Sequence, residues 1–171
     1  EERKLKISYQ VYKPIAGLYY GGGSPEMPQR GTWLCTDHET TRARYWIPCI
    51  DHPNVRTTFK VTIHHKRSHV GISAGKLIRE EIIDEDYQSS VWQLDFRCPI
   101  YLLCIIVGEY EKVDFGLLRD KPLAAFAPKQ NSPETIKRAF EPTKEIILFA
   151  ENLLGPLPWP KYYQFAAPGI G

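Results

Sequence analysis

A chain of 171 residues, 43% hydrophobic and 25% charged, is long enough to bury a core and has ordinary globular composition. A formal net charge of +2, with no block of like charges, gives no ground for a nucleic-acid or membrane partner. No apolar run approaches the roughly 20 residues that span a bilayer, and EERKLKISYQ lacks the apolar centre of a signal peptide, which favours the cytoplasm.

From Lys4 to about Val113 the pattern is short strands parted by turn signals. KLKISYQVY alternates, placing Leu5, Ile7, Tyr9 and Val11 on one face, and is expected to be a strand. The glycine run 21–23 reads as a turn, because it lacks the lysine and the following helix of a phosphate cradle. TFKVTI alternates through Phe59, Val61 and Ile63, as a half-buried strand does, and VWQLDF alternates again. Turns are expected at His52-Pro53-Asn54, Ser73-Ala74-Gly75 and Asp84-Glu85-Asp86. IYLLCIIVGEY is continuously apolar and predicts a strand buried on both faces. Short strands at this spacing predict a mainly β, antiparallel, sandwich-like domain.

The texture changes after Gly116. Ser132-Pro133-Glu134 supplies a cap and a proline suited to the first helical position. Ile136, Phe140, Thr143, Ile146, Ile147, Ala150, Leu153 and Leu154 then recur at helical spacing, predicting one apolar face. Pro142 should kink that helix, and Gly155-Pro156 should end it. YYQFAAP reads as a strand, so the last part runs strand–helix–strand and forms a partial α/β segment. A boundary near Leu117–Pro122 divides the chain into 1–118 and 119–171.

Cys35, Cys49, Cys98 and Cys104 form no C-x-x-C pair and are expected to be reduced structural thiols. Trp33, Trp46, Trp92 and Trp159 are expected in the core rather than on a carbohydrate platform. His38-Glu39 opens like the zinc pattern H-E-x-x-H, but Arg42 stands where the second histidine should be. His65 and His69 have that interval, yet HHKRSH is a basic turn, where four-residue spacing has no geometric meaning. No metal site is expected within this stretch, and its histidines are expected to be solvated or capping. On a strand, Asp37 and Glu39 would share a face. Their cation could be Arg42 or Arg44 from within, or an ammonium group arriving from outside.

The segment TDHETTRARYWIPCIDHPNVRTTFKVTI resembles the hallmark of the aminopeptidase N family of zinc metallopeptidases (the gluzincins). Ala43-Arg44, Pro48-Cys49, Asp51, Pro53, Thr58-Phe59 and Ile63 match in register. GLYY at 17–20, GISAGKLI at 71–78 and IYLLCIIVGEYEKV are similar to the family's N-terminal β-domain, which is saddle-like. APKQNSPETIKRAFEPTKEIILFAENLLGPLPWPKYYQFAAPGIG resembles the start of its thermolysin-like catalytic domain.

The resemblance implies that Glu39 is a substrate-binding residue, placed where the family's Gln or Glu meets the free α-amine of a peptide. Asp37 falls near the same pocket, and Gly169 and Gly171 fall where the family enters its G-x-M-E-N substrate loop. Arg44, Asp51 and Pro53 would form a structural turn held by charge pairing. The resemblance further implies zinc in a parent enzyme, with none bound by this stretch, which alone should be inactive. The implied partners are peptides with a free N-terminus and the rest of a catalytic domain, with self-association through apolar faces such as Ile146, Ile147 and Leu154. The rival reading is a non-catalytic β-scaffold for protein interaction.

Overall fold

The computed structural model describes residues 3–26 and 31–167. Ten strands and two helices follow in order: β1 (Leu18–Gly21), β2 (Trp33–Thr36), β3 (Arg56–Lys66), β4 (Val70–Ser73), β5 (Lys76–Ile82), β6 (Tyr87–Pro99), β7 (Ile105–Gly108), β8 (Tyr110–Leu118), β9 (Lys121–Pro128), α1 (Pro133–Phe140), α2 (Thr143–Leu154) and β10 (Tyr162–Phe165). The fold is mainly β, as the alternating segments predict.

Three sheets result. One is antiparallel with order β1-β2-β7-β4; a second is antiparallel with order β3-β6-β5; the third, β10-β9-β8, pairs β8 with β9 antiparallel and β9 with β10 parallel. The parallel pair needs a crossover, which α1 and α2 supply. The 118/119 position lies in the tight β8–β9 connection, where Leu118 pairs with Lys121. Among the described residues, no helix is long and apolar enough to cross a membrane.

A single buried cluster draws on every sheet: Cys35, Ile72 and Ile106 from the first, Ile63 and Trp92 from the second, Tyr110, Ala124 and Phe126 from the third. The alternation of β3 explains its share, since Phe59, Val61, Ile63 and His65 turn inward while their neighbours face water. Gly71 on β4 is where the first two sheets close up. Its carbonyl accepts from Trp92 Nε1 and from Ser90 Oγ, both at 3.0 Å. A Cβ there would lie 2.3 Å from His65 Cδ2 and 2.9 Å from Ser90 Oγ. The His65 ring cannot swing away, being buried and bonded to Ser90 Oγ and to the Lys66 carbonyl. Lys161, just before β10, adds a further tie. Its ammonium donates to the Ser73 carbonyl at 2.6 Å and to the Gly75 carbonyl, and sits 4.5 Å from the Trp92 ring centre.

Several expectations are corrected. Residues 4–11 do not form a strand: Leu5 is 84% exposed, and Ile7, Tyr9 and Val11 are exposed as well. Alternation becomes a strand only when a neighbouring edge completes its hydrogen bonds, and this segment has none among the described residues. IYLLCIIVGEY is not one strand either. Pro99 ends β6, Ile100–Leu102 make a 3-10 turn, and the chain changes sheet between Gly108 and Tyr110. Gly108 permits that change, because a Cβ would lie 2.6 Å from the Tyr110 ring and 3.0 Å from the Thr32 carbonyl.

The expected kinked helix is two helices. Ser132 caps α1, its hydroxyl accepting from the Thr135 amide at 3.2 Å, and Pro142 starts α2 afresh. Ile136 and Ile147 are buried, whereas Ile146, Phe149, Leu153 and Leu154 are exposed. His38 and His65 are buried rather than solvated. The four cysteines are free, and burial pushes the Cys35 and Cys104 thiols up to about 11. Trp92 is core, and the other three tryptophans are partly buried.

Gly71→Ala should lower the unfolding free energy by about 1–3 kcal/mol, the usual cost of forcing atoms into a packed interior. Urea titration of both proteins checks this, and an unchanged midpoint would mean that His65 repacks freely.

Candidate functional site

The loop after β2 carries the acidic residues singled out above. Strand β2 stops at Thr36, whose hydroxyl accepts from the Ile105 amide at 2.9 Å. Asp37 and Glu39 therefore sit in a turn, not on a strand face as expected, and pleat alternation does not orient them. The Asp37 amide donates to the Gly17 carbonyl at 3.2 Å, and the Arg42 amide to the His38 carbonyl at 2.9 Å. Gly17 has φ +85°, and a Cβ on it would lie 2.2 Å from the Arg42 carbonyl oxygen. Only glycine meets both conditions, so residue 17 is the floor on which the turn rests.

His38 is the inward anchor of the turn and is 2% exposed. Its Nε2 accepts from Trp46 Nε1 at 2.9 Å, and the two rings lie 5.7 Å apart. An accepting Nε2 places the proton of the neutral ring on Nδ1. Burial pulls the His38 pKa below its ordinary value, against smaller upward pulls from the Leu103 backbone, Asp51 and Asp37. A residue that resembles a zinc ligand in sequence is thus a core histidine with its accepting nitrogen occupied.

Farther on, Ala43–Tyr45 form a 3-10 turn with Ala43 packed against Ile100 and Leu103. Asp51 is nearly buried. Its carboxylate accepts from the Arg44 amide at 3.0 Å and from Arg44 Nε at 3.4 Å, and its carbonyl accepts from Arg44 Nη2 at 2.6 Å. This is the charge-held turn that the motif implies. Burial raises the Cys49 thiol above its ordinary pKa, so Cys49 is no thiolate nucleophile at neutral pH.

The acids of this loop fall into two kinds. Asp37 is paired with Arg42 Nη1, and Asp51 with Arg44. Glu39 is exposed and, among the described residues, nothing pairs with its carboxylate; only its amide is held, by Asp37 Oδ1 at 3.3 Å. The Glu39–Thr40 peptide bond is cis. Gly169 and Gly171 lie outside the described residues. Arg42, one of the two internal cations expected for these acids, does pair with Asp37, whereas Gly17 and Trp46 were not singled out for this turn from sequence. A glycine far upstream and an indole eight positions on carry no periodic signal, and only the departure at Arg42 marks the loop.

Among the described residues, no group of three or more His, Cys, Asp or Glu side chains could hold a metal ion. The described residues do not fit a zinc site.

Comparison with known proteins gives a consistent family. The peptidase M1 N-terminal domain matches residues 1–102. Glutamyl aminopeptidase of Rattus norvegicus is 27% identical across 90% of this chain, and that of Homo sapiens is 27% identical across 81%. A probable aminopeptidase 1 of Sulfurisphaera tokodaii is 27% identical across 98% of the chain. The chain spans only 16%, 14% and 21% of the lengths of these three relatives, respectively.

Protonating His38 would set a second N–H against the Trp46 N–H, so the fold favours the neutral ring. The unfolded chain takes up this proton near pH 6.5, the folded chain only at lower pH. Stability from His38 is therefore complete above about pH 6.5 and falls as the pH drops through the folded value. His38→Gln should flatten that decline in denaturant titrations between about pH 5 and 7. His69, lowered by burial as well, retains part of the slope.

Proposed function

The chain belongs to the peptidase M1 N-terminal domain family, and from that premise we propose that it is part of a zinc-dependent aminopeptidase. In this reading Glu39 is the anchor for the free α-amine of a peptide substrate. The observation that carries it is the unpaired, exposed Glu39 carboxylate, in a turn whose other acids are already matched to arginines. An ammonium group gains most from a carboxylate with no internal cation. A charge-assisted hydrogen bond of that kind contributes about 1.5–3 kcal/mol. Peptides with a blocked N-terminus lack the charge and lose that contribution, which is the physical basis of acting from the end of a chain.

The zinc is proposed to be held outside the described residues, and this stretch supplies no ligand. By itself the stretch is proposed to be inactive. The remaining catalytic domain is its proposed partner, covering Ile146, Phe149, Leu153 and Leu154, which are exposed here. Gly169 and Gly171 are proposed to lead into the substrate loop. The relatives' name makes N-terminal glutamate the first substrate to test.

In a full-length protein carrying this chain, Glu39→Ala should lower kcat/KM on amino-terminal amide substrates by about 10- to 150-fold, the equivalent of one such bond. Glu39→Gln should recover part of it. Chelation should abolish activity and added zinc should restore it. A full-length protein with no aminopeptidase activity before any substitution would favour the scaffold reading. An active one indifferent to Glu39→Ala would refute the amine anchor.

A further inference from the structure

We propose that Asp37 and Arg42 are positioning residues that aim Glu39, and that Asp37 does not itself touch the substrate amine. The inference rests on Glu39 being the amine anchor. Each end of the turn is tied down through these two residues. The Asp37 amide is bonded to the Gly17 carbonyl, its Oδ1 accepts the Glu39 amide at 3.3 Å, and its Oδ2 accepts Arg42 Nη1. From the other end, the Arg42 amide closes the turn on the His38 carbonyl at 2.9 Å, while the Arg42 carbonyl rests against Gly17. The Asp37–Arg42 ion pair therefore spans the turn that holds Glu39, and one Asp37 oxygen bonds directly to the Glu39 backbone.

Charge points the same way. Two unneutralised carboxylates two residues apart would repel each other and would offer an ammonium two alternative positions. With Arg42 on Asp37, a single uncompensated negative charge remains, and it is on Glu39. The pair is open to solvent: the Arg42 side chain is 45% exposed and that of Asp37 36%. Exposed pairs of this sort add little to global stability, so substitutions here should leave the protein folded. Their effect should appear in substrate binding.

The test is a double-mutant cycle in a full-length protein carrying this chain, using Asp37→Ala, Arg42→Ala and the double variant, on a substrate with a free amine. Each single variant should raise KM about tenfold with kcat within about twofold, and the double variant should be no worse than either. Arg42→Lys should restore most of the loss. In a Glu39→Ala background, neither substitution should raise KM further, because both act through Glu39. Hydrogen exchange at the Glu39 amide should accelerate in both single variants.

If Asp37→Ala still raises KM in the Glu39→Ala background, or if Arg42→Ala leaves KM unchanged or lowers it, Asp37 contacts the substrate and the proposal is overturned. Unchanged exchange at the Glu39 amide overturns it independently of any assay. An unaltered KM in Glu39→Ala alone is a different failure, since it removes the amine anchor while exchange still reports whether the pair holds the turn.

Discussion

The contact on which this structure turns is that of the Gly71 carbonyl with Trp92 and Ser90. Two sheets can share a core only if their backbones come close at some point, and here the missing side chain of Gly71 allows it. The indole and the hydroxyl satisfy a carbonyl that would otherwise be buried with less than its full complement. His65 fills the space a Cβ would have taken. The cluster that links all three sheets grows outward from this point, through Ile72, Ile63 and Ile106. The loop carrying Glu39 depends on it at one remove, because β2 is held in register by β7, and β7 by β4, the strand of Gly71.

Within that frame, the candidate site is a matter of electrostatic bookkeeping in a short turn. Buried or half-buried carboxylates need cations, and the chain provides them locally: Arg44 for Asp51, Arg42 for Asp37. In the first pair the carboxylate is buried while the guanidinium reaches solvent, and three bonds shape the backbone. The second is open and holds geometry more than stability. What is left over is one carboxylate facing solvent. A site that attracts a cation need be no more elaborate than an acid for which the fold has supplied no partner.

Much of this was legible in the sequence where the controlling forces are local. Strand β3 follows from its two-residue alternation, α1 from Ser132 and Pro133, and the Arg44–Asp51 turn from the motif containing both. Reading failed where the outcome depends on distant neighbours. The alternation of 4–11 is as regular as that of β3, yet it has no edge to pair with among the described residues. His38 was expected to be solvated or capping, because nothing local announces that Trp46 will cover it. The turn of Asp37 and Glu39 was mistaken for a continuation of β2. The constraints that bend it there are Gly17, twenty residues upstream of Asp37, and the backbone bond from Arg42 to His38. Periodicity can say which residues want burial; it cannot name the atoms that will bury them.

Lys161 has a consequence for how the two ends of the chain can move. It enters β10, the last strand described, yet its ammonium is spent on the carbonyls of Ser73 and Gly75 and on the face of Trp92, all in the earlier part of the chain. Prising β10 away would pull the ammonium off the Trp92 face and take this donor from the Ser73 and Gly75 carbonyls. A gentle hinge between early and late segments is therefore not an available motion at this seam. Any separation there must break these contacts, so a force applied at the late segment is borne by the central sheets as well. Lys161 is a rivet through that seam, and load on the late segment reaches the central sheets by way of it.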